Sequence, residues 1–339
     1  LTTAVQAVGI SIAERKGGSG MRTIFAVAVA LLVSAAGHAQ DAWPQRAVTL
    51  VVPFGAGGSA DLTARVLSTH LQARLGTPFV IDNRAGAGGS IGTGFVAKAP
   101  NDGYTLLLGT VSSSAINAAL YTKLTYDLDR DFQPVSLLVR FPNLLFVNPK
   151  IPATSVTGLI DYLKANPGKV NYGSSGIGTS SHLSVVMFAL ATGTDMTHIP
   201  FRSTSEVVNS MIGGHIDLGI DSMTTTIPHA QSGAVRALAV TTPQRNASVP
   251  DLPTIGETLP GYEATAWQGL FAPAGTPRPI VDRLAAEVKR ILEMPEVASS
   301  LKAVGAEPAP MPPDAFAAFA RTERVKWKEV VRVSGARVD

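Results

Sequence analysis

The stretch Val48-Thr49-Leu50-Val51-Val52-Pro53-Phe54-Gly55-Ala56-Gly57-Gly58-Ser59-Ala60-Asp61 joins a short apolar run to a glycine-rich turn and the start of a helical pattern. The unit recurs at once: Phe79-Val80-Ile81-Asp82 leads into Asn83-Arg84-Ala85-Gly86-Ala87-Gly88-Gly89-Ser90-Ile91-Gly92. Glycine in such a turn lets backbone N–H groups approach a ligand without obstruction by a Cβ, and the helix behind it adds partial positive charge. Two such turns in successive β-α units imply one shared crevice suited to an anion.

Working outward, Ala60, Ala64, Leu67, Leu71 and Leu75 form one buried stripe, which predicts a helix over 59–75 stopped by Gly76. A second helix over 91–97 leads through Pro100-Asn101-Asp102-Gly103 into a strand at 104–108, a β-α-β-α-β pattern whose strands should be parallel. Residues 134–139 and 143–147 read as two strands separated by a short turn, where the chain crosses to a second domain. There the pattern restarts, with helices over 156–165, 180–191 and 203–212 and strands at 170–173, 197–199, 218–221 and 235–240. Residues 264–271 resemble a strand returning to the first domain. Thr276-Pro277 then opens a helix with Val281, Leu284, Val288, Ile291 and Leu292 on one face, and a last helix carries Phe316, Phe319, Ala320, Trp327, Val330 and Val331. The expected fold class is α/β, a two-lobed clamshell in which each lobe is a mainly parallel sheet flanked by helices. Lobe 1 is discontinuous, 40–139 with 268–339, and lobe 2 is 140–267.

Residues 1–39 stand apart. Met21-Arg22-Thr23 followed by the apolar run 24–36 is basic and then too short to span a bilayer, and Gly37-His38-Ala39 supplies a small-x-small cleavage site, so 21–39 reads as a secretory signal peptide behind an upstream extension. The chain of 339 residues carries a formal charge of +3; removing Glu14, Arg15, Lys16 and Arg22, net +2, leaves about +1, which offers no nucleic-acid surface. The absence of cysteine removes thiol catalysis and thiolate metal sites. About 300 residues at 45% hydrophobic content suffice for two cores.

The two loops, together with Ala99-Pro100-Asn101-Asp102-Gly103-Tyr104-Thr105-Leu106 and Tyr172-Gly173-Ser174-Ser175-Gly176-Ile177-Gly178-Thr179-Ser180-Ser181-His182-Leu183, resemble the solute receptors of tripartite tricarboxylate transporters, the Bug proteins. The resemblance extends through Ile199-Pro200-Phe201-Arg202, Gly213-Gly214-His215-Ile216-Asp217, Leu252-Pro253-Thr254-Ile255-Gly256-Glu257 and Trp267-Gln268-Gly269-Leu270-Phe271-Ala272-Pro273, in family order from about Trp43 onward. It implies a periplasmic-binding-protein clamshell, exported to the periplasm, monomeric, that hands a small organic carboxylate to integral membrane carrier subunits. It also implies that the carboxylate is held by the loops at Phe54, Gly57, Gly58, Ser59 and at Gly88, Gly89, Ser90, largely through backbone amides and bridging water.

Other candidates follow from position. Thr110 and Ser112 follow the third strand and offer hydroxyls to a ligand or to the solvent. Ser175, Thr179, Ser180 and His182 cluster at another helix start as the opposing jaw, where His182 either donates to a carboxylate or caps its own helix. Phe201 and Arg202 give an apolar wall and a cation, unless Arg202 pairs with Glu206. Asp221 ends a strand and would suit an amino group on the ligand, whereas Asp61 in the first helical turn suits the helix dipole better than a ligand anion. Gly55-Ala56-Gly57-Gly58-Ser59-Ala60 also fits a dinucleotide fingerprint with Asp82 as the ribose acid, which keeps an NAD(P) oxidoreductase as a rival, though an exported chain has no usual supply of that cofactor. A ligand-sensing module for a signalling partner is the other rival. The sequence otherwise predicts no enzyme, no cofactor and no metal, since hydrolase and metalloprotease motifs are missing and the histidines lack ligand spacing.

Overall fold

Strand β1 (Val48–Val52) is buried at four of its five positions, and its β-branched and leucine side chains suit a strand covered on both faces. It pairs in parallel with β2 (Phe79–Asn83) on one side and β3 (Thr105–Thr110) on the other. The computed structural model describes residues 43–334. The chain divides between Gln45 and Arg46; of the first unit the described residues are Trp43 to Gln45, and the elements named here lie in the second. The signal peptide expected over 21–39 lies outside the described residues.

Strand β4 (Phe132–Val147) corrects the expectation of two strands and a turn: it runs unbroken through 16 residues. Arg140, Phe141 and Pro142 do not turn, because they stand opposite Trp267, Ala266 and Thr265 of β9 (Thr265–Pro273). What changes is the partner. Residues up to Pro142 pair with β9, and Asn143 to Val147 pair antiparallel with β7 (Leu218–Ser222). Proline, lacking an N–H, sits where one ladder stops and the next begins.

The first lobe is therefore the parallel trio β2-β1-β3 extended by antiparallel β9 and β4, with the two-residue β10 (Glu307–Pro308) on β4. The second lobe has the parallel trio of β6 (Thr197–Pro200), β5 (Asn171–Ser174) and β7, with β8 (Arg236–Val240) antiparallel to β4. Thr241 ties the crossings together. Its Oγ1 accepts the Asn143 N–H at 2.9 Å and donates to the Ala264 carbonyl at 2.7 Å, and its backbone bonds to the same two residues.

Helix α1 (Ser59–Leu75) buries Ala60, Ala64, Leu67 and Leu71 as the stripe requires and ends at Gly76 in the left-handed conformation. In α2 (Ser90–Val96), α4 (Val156–Ala165), α5 (Ser180–Thr192) and α6 (Thr204–Ile212), helix starts follow strand ends; the short α3 (Asn117–Leu120) instead continues a π-helical turn over Ser112–Ile116. Two helices have no counterpart in the sequence pattern: α7 (Met223–Gln231), with Pro228 inside it, and α9 (Pro295–Ala303). Helix α8 (Arg278–Leu292) buries its predicted stripe against α1 and β4, and α10 (Pro313–Ser334) also packs on β4. Phe316 of α10 is fully buried between Trp267 and Phe271 of β9; a Cβ on Gly269 would lie 2.1 Å from its ring, so only glycine admits it.

Candidate functional site

The ends of β1 and β3 in one lobe and of β5, β6 and β7 in the other face a common cleft, the place where parallel sheets leave loops free to bind. Its inner cavity is lined from the first lobe by Phe54, Gly58, Ser59, Ala60, Thr110, Val111 and Ser112. The second lobe contributes Ser175, Ser180, Ser203, Thr204, Asp221 and Ser222, and the crossing strands add Phe141, Asn143, Ala266, Trp267 and Gln268.

Helix α1 has Gly58 at its N-cap and no side-chain cap there, so its first turn presents N–H groups at the cavity wall. The opposing helices are closed off by their own side chains: Thr179 Oγ1 accepts from His182 N–H at α5, and Ser203 Oγ accepts from Glu206 N–H at α6. Asp61 is spoken for within the loop. Its carboxylate accepts from Gly57 N–H at 2.9 Å and from Arg65 Nε at 2.8 Å; burial pushes its pKa up, but these bonds outweigh it and hold the group below the usual carboxylate range.

The lobes meet across the cleft. Gly55 N–H donates to the Arg202 carbonyl at 3.2 Å, Ser205 Oγ donates to the Gly57 carbonyl at 2.6 Å, and Ser180 N–H donates to Ser112 Oγ at 3.0 Å. The conformation is closed.

Of the residues singled out in the sequence, Phe54, Gly58, Ser59, Thr110, Ser112, Ser175, Ser180 and Asp221 converge on the inner cavity. Gly88, Gly89, Phe201 and Arg202 line a separate outer space with Phe54 and Ser175, at the mouth of the same cleft. Four others line neither space. Gly57 bonds to Asp61 and Ser205, Ser90 Oγ accepts from Asn117, and Thr179 caps α5 and donates to the Gly176 carbonyl. His182 is the fourth and is turned into a stack, its ring 4.2 Å from His198, which lies 4.7 Å from Tyr172. Its Nδ1 accepts Gly178 N–H, and burial pushes its pKa down to about 4, so it is neutral and steadies its own loop. Arg202 sends its backbone N–H to Glu206, and its own side chain is exposed at the mouth.

Sequence reasoning passed over Gln268 as a site residue. It is 1% exposed, its Nε2 donates to Ser59 Oγ at 3.3 Å, and its Oε1 has no partner. The signal was present in Ala266-Trp267-Gln268-Gly269-Leu270, where one amide interrupts an apolar strand. Asp221 is similar: Oδ1 accepts from Thr204 Oγ1 at 2.9 Å and from Ser222 N–H at 2.7 Å, while Oδ2 is buried and unpartnered. Full burial pushes its pKa up to about 6. Among the described residues, no group of three or more His, Asp or Glu side chains is placed to hold a metal, and no helix is long and apolar enough to cross a membrane.

Two lobes joined by crossing strands, closed over a cavity with a bare helix N-terminus at its wall, define a solute-binding protein of the periplasmic-binding type. The chain belongs to the TctC family, the tripartite tricarboxylate transporter family receptors, whose model matches residues 63–335. It is 36% identical over 317 residues to the protein BugT of Bordetella pertussis, covering 93% of this chain and 97% of BugT. Among solved structures it is similar to R. palustris Rpa4515 with adipate, at 38% identity and a TM-score of 0.85, covering 87% of this chain and 100% of that one. MatC from Rhodopseudomonas palustris with bound malate is 35% identical with a TM-score of 0.81, covering 85% and 100%.

Proposed function

We propose that this chain is a periplasmic receptor that captures a small organic carboxylate between its lobes and delivers it, as a monomer, to integral membrane carrier subunits. The observation that carries the reading is the uncapped first turn of α1 at the wall of a closed cavity, where Ser59 and Ala60 N–H groups and the helix dipole suit a carboxylate. Thr110 and Ser112 stand on the same wall with hydroxyls for the anion or for bridging water. The structures with adipate and malate support the ligand class.

The lobes are taken as 40–139 with 268–339 and as 140–267, moving about hinges at 139–144 and 264–269. The partner change of β4 at Pro142 and the Thr241 tie between Asn143 and Ala264 support those hinges. Export by a signal peptide within 21–39 completes the proposal; intact mass of secreted protein should place the mature start near Gln40. Protein stripped of ligand by unfolding and refolding is titrated calorimetrically with a panel of mono- and dicarboxylates and with NAD(P). The reading predicts saturable binding of a carboxylate at one site per chain and none of the nucleotide. Failure of every carboxylate would overturn it.

A further inference from the structure

The inner cavity is chemically two-ended. At the α1 end it offers bare N–H groups. Away from them, among the described residues its lining contains a single ionisable side chain, and that side chain is an acid, Asp221. Among the described residues no lysine, arginine or histidine lines the cavity to neutralise it.

Asp221 is 3% exposed. Thr204 and Ser222 occupy Oδ1, which fixes the carboxyl plane; among the described residues no well-formed hydrogen bond reaches the buried Oδ2, with only the Ser175 and Ser181 hydroxyls close enough to act on the carboxyl. Gln268 brings a second buried, unpartnered oxygen, Oε1, to the same lining from the crossing strand β9. Buried acceptors left unpaired cost stability, and a buried carboxylate without a cation costs most. Two such atoms on one cavity mark the place of a missing donor group.

Resting on the reading of this cavity as a carboxylate site, we propose that its inner end recognises an ammonium group through Asp221 Oδ2 and Gln268 Oε1, so that the ligand is an amino acid rather than a dianionic dicarboxylate. The ligand's carboxylate lies on the first turn of α1, and its ammonium completes an ion pair with Asp221 inside the closed cleft. A second carboxylate at that end would face Asp221 with no cation between them.

The pair of charges also fixes the proton balance of binding. Burial, opposed by hydrogen bonding from Ser222, Thr204, Ser181 and Ser175, places the pKa of unliganded Asp221 at about 6, and among the described residues no other ionisable group lines the cavity. An ammonium stabilises the carboxylate form, so at pH 6 binding releases up to about half a proton; a second ligand carboxylate requires the acid form and takes protons up.

The test is calorimetry on stripped and refolded protein with matched pairs differing only in that end group, such as 4-aminobutyrate with glutarate and 6-aminohexanoate with adipate, and with α-amino acids beside their dicarboxylate counterparts. Buffers of different ionisation heat report the proton change. The amino member should bind more tightly than its dicarboxylate partner, with proton release at pH 6. Asp221→Asn keeps an oxygen for Thr204 and Ser222 but turns the free acceptor into a donor. It should weaken the amino ligand by about a hundredfold and strengthen the dicarboxylate. Gln268→Leu, which leaves Asp221 untouched, should weaken the amino member selectively, and it serves if Asp221→Asn does not fold. A dicarboxylate that binds wild-type protein more tightly than its amino partner, with proton uptake, would overturn the proposal and leave the carboxylate reading standing. Binding of neither series would overturn both.

Discussion

Gly88 tests the closed cleft with one methyl group. It stands at φ +59, and an added Cβ would lie 2.8 Å from the carbonyl oxygen of Ile177 in the opposing lobe. That is about 0.5 Å inside the ~3.3 Å at which carbon and carbonyl oxygen ordinarily meet. In Gly88→Ala the left-handed backbone costs about 1–2 kcal/mol whether the cleft is open or shut, so it lowers stability without changing affinity. The contact with Ile177 exists only when the lobes are closed. Overpacking of this kind costs about 1–3 kcal/mol, and charged wholly to the closed state it weakens ligand binding about 5- to 150-fold. The Tyr121 hydroxyl at 3.2 Å and the Asn117 amide at 3.4 Å flank the same Cβ, but both are side chains of the same lobe and give way in either state. Gly76→Ala is the matched control, since Gly76 has φ +70 and nothing within 4 Å of its Cβ. Calorimetric titration of both variants with a carboxylate that saturates wild type should show weakened binding in Gly88→Ala alone, with similar losses of thermal stability in both. Equal affinities would mean that the ligand is bound without this approach of the two lobes.

Thr241→Val removes the hydroxyl that bridges Asn143 N–H and the Ala264 carbonyl, leaving two buried backbone groups unpaired; a loss of about 2–4 kcal/mol in urea unfolding is expected, and a loss under 1 kcal/mol would mean that the crossing strands hold without this tie. Acid should destabilise the protein through the histidine stack. Burial pushes His182 down to about 4 and His198, also repelled by His182, down to about 3, so their stability is whole above the unfolded value of 6.5 and is lost as pH falls through these values. Two protons give at most about 2.7 kcal/mol per pH unit, trimmed by solvent access to His198. Asp221 works in the opposite direction, because its raised pKa gives stability that is present below the unfolded value of 3.8 and lost as pH rises through about 6. The net slope between pH 6 and 4 should therefore be near 1.4 kcal/mol per unit in wild type and steeper in Asp221→Asn. Stability that rises as pH falls over that range would show that the stack takes up no protons on unfolding, because the slope of Asp221 alone would then remain.

Elements with strong periodicity were legible in the sequence: α1, α8, and the parallel trio β2-β1-β3, whose apolar runs and glycine stops follow directly from burial and backbone conformation. The break expected between residues 139 and 143 was not there, because Arg140 and Pro142 look like turn residues until β9 supplies a partner for them. Helix α7 was missed since Met223-Thr224-Thr225-Thr226-Ile227-Pro228 offers no one-sided stripe and carries a proline; its buried threonines face neighbouring elements the local sequence does not reveal. At the site, the loops that end parallel strands were located by their glycines and hydroxyls. Which of those groups face the cavity was not legible. Thr179 and His182 look as available as Ser175 and Ser180, and only the capping bonds of α5 and the stacking on His198 turn them away. Gln268 and Asn143 come from the crossing strands, far in sequence from either loop cluster, so their place in the cavity depends on the partner change of β4.

The central claim is that a small carboxylate bridges two lobes and holds them shut. Small-angle scattering on stripped protein, with and without a carboxylate that calorimetry shows to be saturating, measures this directly. The account predicts a smaller radius of gyration with ligand, since contacts on α1 and on the opposing lobe favour the closed form. An unchanged scattering curve at saturation would contradict it.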